Sequence, residues 1–222
     1  MTAYVLVHAY CINLDREPEK FLKIKQEFKN YFEIERVSAI DASIENVTGI
    51  EALFQTTIQL FKKIILFEEE QDKEDRNNYV IIIEDDVYKC PDFDAYFPKI
   101  CEFINNKENV GKWDFISVDN FLNFEKPKME IYNDFLYKID KSRTTGFMIY
   151  NIDFLKKNID YLSECEILDM TMKQNPDFIQ LIPNKILVKQ IVDKVSGTCL
   201  QNTKHYEDYY KETEEYMRKY FL

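Results

Sequence analysis

Residues 80–87 read VIIIEDDV: four aliphatic side chains, three consecutive acids and one more aliphatic. A short apolar run of this kind is a strand of a buried sheet. Two carboxylates about 4 Å apart repel by roughly 4 kcal/mol at an effective dielectric near 20, so three at the end of such a strand call for compensation. Water, a basic partner or a divalent cation would supply it. Side chains alternate along a strand, which sends Glu84 and Asp86 to one side and Asp85 to the other. The pair Glu84 and Asp86 is therefore placed to share one ligand. The plainer reading is a solvated boundary between strand and loop.

The flanking sequence sets the acids in an α/β frame. Residues 3–12, AYVLVHAYCI, form a second apolar run, read as a strand buried on both faces, with His8 inside it as a core histidine. Next, NLDREPEKFLKIKQEFKNYF places Phe21, Ile24, Phe28 and Phe32 at helical spacing, with Asp15 as cap and Pro18 in the first turn. A strand over Ile34–Val37 and the loop SAIDASIENVTG lead to a long helix over Ile50–Glu70. After the acidic strand, PDFDAYFPKICEFINN reads as helix despite Pro98. WDFISVD, FLYKID and TGFMIYN read as strands, and IDFLKKNIDYL and EILDMTMKQ as helices. FIQLIPNKILVKQ is extended and the tail YEDYYKETEEYMRKYFL is an amphipathic helix. Strand and helix alternate through the first half, which points to one α/β domain over residues 1–222 around a central, mainly parallel mixed sheet flanked by helices. Ligands of such sheets bind beyond the carboxyl ends of the strands. The loop after Ile12 and the acids after Ile83 then line one crevice, which favours a metal or nucleotide site.

Composition narrows the chemistry. The chain has 222 residues, 45% hydrophobic and 15% aromatic, as a globular protein requires. Its four glycines build neither of the glycine-rich phosphate loops. A net charge of −11 disfavours nucleic acid and anionic membranes as partners, and no apolar run reaches the length of a membrane span. Five scattered cysteines without a C-x-x-C suggest neither a zinc knuckle nor a disulfide framework but reduced thiols. The N-terminus lacks the features of a signal peptide, so a cytoplasmic protein is expected, in the host cytoplasm if the source is viral.

Several blocks resemble a known family. INLDREPEK is similar to the INLDRRPDR signature of glycosyltransferase family 25, the lipooligosaccharide and procollagen galactosyltransferases, and of related small viral glycosyltransferases. ERVSAIDAS is similar to RVxAVDG, IIIEDDV to LEDDV, and TTGFMIYNIDFLKK to GTHAYLISRRGAEKLL. Leu168-Asp169 and PNKILVKQIVDKVSG resemble VDxxL and PxLVxQxxxxSD. The blocks run in family order from about Ile12 to Ser196. The second arginine of the signature is Glu17 here, Lys20 stands where another arginine is common, and GIEALFQTT replaces GCxxSH.

The resemblance implies a GT-A (Rossmann-like) fold and transfer of a hexose, with inversion, from a nucleotide sugar such as a UDP-hexose to a glycan, glycoprotein or hydroxyl acceptor. It implies Mn2+ or Mg2+ as cofactor, with Asp86 as ligand and Glu84 or Asp85 assisting the metal or holding the ribose. Asp15 and Arg16 would meet the nucleotide, the alternative being a surface ion pair at a helix start, and Ala39 and Asp41 would flank uracil and ribose. Glycine permits close backbone approach, so Thr144, Thr145 and Gly146 are placed to approach the donor sugar, the alternative being a plain turn. His205 would complete the metal shell, the alternative being a surface residue. Asp169, with Asp119 second, would take the acceptor's proton, the alternative being a helix cap. The tail stripe Tyr206, Tyr209, Tyr210, Tyr216, Met217 and Tyr220 reads as core or as a homodimer contact. Two other functions stay open: a metal-dependent nucleotidyltransferase, and a degenerate glycosyltransferase fold kept as a glycan-binding or assembly module.

Overall fold

The computed structural model describes residues 7–70, 78–119, 122, 127–165, 167–173, 175–191 and 203–219, with side chains for all of these except 7, 169–171 and 203–206. The chain begins with β1 (Val7–Asn13), α1 (Pro18–Glu27), β2 (Phe32–Ser38), the short α2 (Ala42–Glu45) and the long α3 (Gly49–Glu70). The acidic strand is β3 (Tyr79–Glu84), followed by β4 (Val87–Lys89), α4 (Phe93–Asn105), β5 (Phe115–Ser117), β6 (Met129–Ile131) and β7 (Leu136–Ile139). Then come β8 (Phe147–Asn151), α5 (Ile152–Ser163), α6 (Leu168–Lys173), β9 (Gln180–Pro183), β10 (Val188–Gln190) and α7 (Thr203–Arg218).

Among the described residues eight strands form one sheet in the order β2-β1-β3-β8-β5-β9-β7-β6, and β10 pairs with β4 in a separate ribbon. Only β8 and β7 run against the other six. The expected mainly parallel mixed α/β sheet is therefore present. Antiparallel β8 lies at its centre, between β3 and β5, which brings the turn before Phe147 to the end of the sheet where β3 stops.

Alternation explains how the two apolar strands feed two cores. Ala9, Cys11, Ile81 and Ile83 face α1 and α4, while Ile12, Val80 and Ile82 face α3, α5 and α6. On the first side Phe93 and Phe97 stack at 4.7 Å, and Phe28, Phe32 and Phe147 pack against them edge-on or tilted. Each such ring contributes about 1.5–3 kcal/mol by leaving water. Pro98 lies inside α4, whose buried face (Phe93, Phe97, Ile100, Phe103, Ile104) outweighs the lost backbone hydrogen bond.

Three local expectations change. Asp15 does not cap α1: Glu17 occupies that position without a side-chain hydrogen bond, and Pro18 opens the helix. Asp15 instead accepts from Arg36 and Ser38 on β2. His8 is not a core residue, because it stands near the entry end of β1, exposed, with its Nε2 3.5 Å from Glu35. The loop after β2 contains α2, capped by Asp41 through Ser43 N–H. In the tail, Tyr210 and Met217 are buried, with Tyr209 and Tyr216 packed beside them, so these members of the stripe serve the core. Tyr206 has no described side chain and Tyr220 lies outside the described residues.

Candidate active site at the carboxyl end of the sheet

β3 ends at Glu84, and Asp85 and Asp86 form the turn into β4. The three acids separate as alternation requires. Glu84 and Asp86 share one donor, the Gln190 amide, whose Nε2 lies 3.4 Å from Glu84 Oε2 and 3.4 Å from Asp86 Oδ1. Asp85 turns to β1, where Asn13 Nδ2 donates to its Oδ2 at 2.6 Å. Glu84 Oε1 accepts from Thr145 Oγ1 at 2.7 Å. Neutral groups, an amide and a hydroxyl, thus hold the pair Glu84 and Asp86.

The electrostatics follow from that choice. Burial pushes the Glu84 carboxyl well above the usual carboxylate range, and the neighbouring Asp86 charge pushes it further. Asp86 is raised to about 7, chiefly by burial and then by the Asp85 charge, with the Gln190 hydrogen bond opposing. Asp85 is raised too, by burial, against the lowering effects of Asn13 and Lys20.

A second layer sets the turn before β8. Asp119, 0% exposed, accepts from Gly146 N–H at 2.8 Å, and Thr144 Oγ1 donates to the Asp119 carbonyl at 3.2 Å. Burial raises the Asp119 carboxyl, and the nearby Lys173 charge opposes this. Lys173, also buried, donates from Nζ to Ser117 Oγ at 2.8 Å, to the Arg143 carbonyl at 3.1 Å and to the Thr144 carbonyl. Thr144 is held in the left-handed region (φ 72°), which a β-branched residue adopts only under constraint. A side chain at Gly146 would meet Asp119 Oδ2 at 2.8 Å and the Gln190 amide at 3.0 Å, so the lack of one lets three groups converge.

Beside the acids, between β1, β2 and α3, lies a cleft of about 150 Å³. Small and apolar residues, Ala39, Ile40, Ala42, Gly49, Ala52 and Leu53, line one part. Arg16, Glu17, Lys20 and the three acids line the other. Arg16 bridges to Asp41 and lies 3.7 Å from Glu17, and Lys20 pairs with Glu17. Asp15 faces Arg36 at 2.6 Å and Ser38 at 2.7 Å, which hold its carboxyl below the usual range, and Arg36 Nε reaches Asn13 Oδ1 at 2.7 Å.

The structure thus gathers Arg16, Ala39, Glu84, Asp85 and Asp86 around one cleft, with Thr145 and Gly146 at the acids; Asp41 is not part of the lining and joins it only through its bridge to Arg16, and Asp15 is turned to Arg36 and Ser38. The side chains of Asp169, on α6, and His205, on α7, lie outside those described. Asn13, Arg36, Lys173 and Gln190 are site residues that sequence reasoning passed over. Asn13 and Gln190 sit inside quoted blocks, INLDR and ILVKQ, and an amide beside an acid-rich strand end was the available signal. Arg36 likewise sits inside a quoted block, ERVSAIDAS, as the arginine of RVxAVDG, whereas Lys173 carried no such signal.

The donor set suits a hard divalent cation. Glu84 and Asp86 offer carboxylate oxygens, and Mg2+-like ions commonly take only one or two carboxylates, with water and phosphate supplying the rest. Among the described residues no group of three or more His, Cys, Asp or Glu is disposed to hold a metal unaided. Among them, too, no helix is long and apolar enough to cross a membrane.

No protein-family model matches the sequence, and neither does any curated protein. Among solved structures the chain is similar to A197 from STIV (TM-score 0.45, 12% identity, 85% of this chain and 87% of that one). It is also similar to mouse xyloside xylosyltransferase 1 in its apo form (TM-score 0.36, 10% identity, 74% of this chain and 60% of that one). Both likenesses are partial.

Proposed function

We propose that the protein is a GT-A-type glycosyltransferase that moves a hexose from a nucleotide sugar, UDP-linked by preference, to a hydroxyl of a glycan or glycoprotein. The observation that carries this reading is the pair Glu84 and Asp86, half-buried at the carboxyl end of β3, held by neutral donors and lining a cleft with both apolar and charged walls. When bound, a divalent cation such as Mn2+ would neutralise that pair and stabilise the negative charge of a departing nucleoside diphosphate.

The chain's own residues supply the rest. Asp86 and Glu84 hold the cation. The small-residue wall at Ala39 accommodates a flat base, with Asp41 near the ribose. Arg16 and Lys20 bring positive charge to the side of the cleft nearest the acids, where diphosphate oxygens would lie. Thr145 and Gly146 orient Glu84 and border the donor sugar. Asp119 holds that turn: fully enclosed, it offers no open face to an acceptor. Asp169 is then the base that takes the proton of the attacking hydroxyl.

A thermal-shift panel of nucleotide sugars and nucleoside triphosphates, with and without Mn2+, tests the reading. A ligand at a hundredfold excess over its Kd stabilises by about 2.7 kcal/mol. The expected response is a Mn2+-dependent shift with one nucleotide sugar. A shift with triphosphates alone would make the protein a nucleotidyltransferase, and glycan binding with no nucleotide effect would make it a binding module. Asp169→Asn should keep nucleotide affinity and slow transfer by roughly 10²- to 10⁴-fold. Near-normal transfer removes Asp169 as base.

A further inference from the structure

Gln190 is the neutral donor that Glu84 and Asp86 share. Its backbone is fixed from several sides. β10 pairs with β4 so that Gln190 stands opposite Val87, one residue after Asp86. Its N–H donates to the Tyr210 hydroxyl of α7 at 2.9 Å, and the next residue, Ile191, donates its N–H to the Asp86 carbonyl. The absent side chain of Gly146 leaves the room that the amide fills. What these anchors deliver is an amide head 3.4 Å from one oxygen of each carboxylate.

That distance is long for a hydrogen bond, whose usual N···O separation is about 2.9–3.0 Å, so each contact is weak and cheap to exchange. It is close to another separation. Neighbouring oxygens around an octahedral ion with bonds of about 2.1 Å lie roughly 3 Å apart. The amide head therefore already stands near ligand-to-ligand distance from both carboxylates. Half a turn about the Cγ–Cδ bond exchanges the amide's nitrogen and oxygen, converting a donor into an acceptor without moving the backbone.

We propose that Gln190 is a third protein ligand of a divalent cation held by Glu84 and Asp86: its amide bridges the two acids when the cation is absent and turns its Oε1 to the ion when it binds. This rests on the reading of Glu84 and Asp86 as a cation site. One side chain then serves two states, neutral donor to a crowded pair of acids and oxygen ligand to the ion that replaces it.

The test is Mn2+ affinity, followed by electron paramagnetic resonance, in the full chain and in Gln190→Leu, Gln190→Glu and Asp86→Asn. Alongside it, Mg2+ is titrated into 15N-labelled wild type while the Gln190 side-chain NH2 resonances are observed, assigned by their loss in Gln190→Glu. Expected results are a Mn2+ affinity weaker by about tenfold or more in Gln190→Leu, retained or tighter affinity in Gln190→Glu, and a displaced Gln190 amide signal at Mg2+ saturation. Should Gln190→Leu fail to fold, the wild-type amide signal and Gln190→Glu still decide. An affinity unchanged in Gln190→Leu but lost in Asp86→Asn, or an amide signal unmoved by saturating Mg2+, overturns the role of Gln190 alone. Mn2+ binding that is absent from wild type, or unchanged in Asp86→Asn, overturns the cation site and this inference with it.

Discussion

The two ends of the β1–β3 sheet both collect acids, and they treat them in opposite ways. At the entry end Glu35 faces Lys63 at 3.1 Å and His8 at 3.5 Å, with its side chain 44% exposed, beside a cavity of about 380 Å³. At the exit end Glu84 and Asp86 have a hydroxyl and an amide, and burial drives their carboxyl groups upward. An acid with a cation beside it and water around it is settled. Acids held by neutral donors and pushed upward by burial either keep a proton or, once ionised, need positive charge from outside. The difference teaches where to look for a ligand: at the acids whose partners are dipoles rather than cations.

Three substitutions or conditions would sharpen or break that contrast, and the largest effect is expected at Asp86. Asp86→Asn removes one of two mutually repelling charges, so in chelator near neutral pH the variant should be as stable as wild type or more so. It should nevertheless lose Mn2+-dependent UDP binding in calorimetric titration. Retained Mn2+-dependent affinity would show that the exit-end pair is as self-sufficient as the entry-end one.

The second effect is one of pH. Because the folded-state pKa values of Glu84 and Asp86 lie above their ordinary values, the native state keeps protons that the unfolded chain has released. Between those ordinary values and about pH 7 stability therefore falls as pH rises. In chelator, the melting temperature of wild type relative to Asp86→Asn should rise on acidification from about pH 7.5 to about pH 5.5. Saturating Mn2+ should weaken this trend, since the ion favours the ionised pair. A pH-independent difference in chelator would mean that the exit-end charges are already compensated.

The smallest change belongs to the other end. Glu35→Gln severs a solvent-exposed ion pair, worth about 0–1 kcal/mol, and its urea midpoint should barely move. A loss of several kcal/mol would erase the distinction between the two ends.

Much of this was legible in the sequence for stated physical reasons. VIIIEDDV announced a buried strand because so short an apolar run leaves few alternatives, and alternation alone sent Glu84 and Asp86 together and Asp85 away. The long helix and α4 were readable from apolar spacing, even through Pro98. Asp15 was misread as a cap because a local rule was applied where a cross-strand partner, Arg36, held the stronger claim. His8 was misread as core because apolar neighbours in the chain do not reveal that a strand's entry end opens on a cavity. Lys173 and Gln190 were missed for a different reason. Their meaning comes from pairing with residues far away in sequence, Ser117 and Glu84; no local pattern carries it for Lys173, and for Gln190 the quoted block marks the residue but not its partners.

The separation of Gln190 from Glu84, 106 positions along the chain, also sets a clock on synthesis. A ribosome adding about 5–20 residues per second completes β3 roughly 5–20 s before Gln190 is made, and Tyr210 follows later still. During that interval the nascent chain has its acids and a formed β1–β3 pairing within reach, but not the amide that bridges them. The acids must wait in water or protonated. The shared donor of the two acids thus arrives only once β10 can pair with β4, and its Tyr210 anchor only with α7.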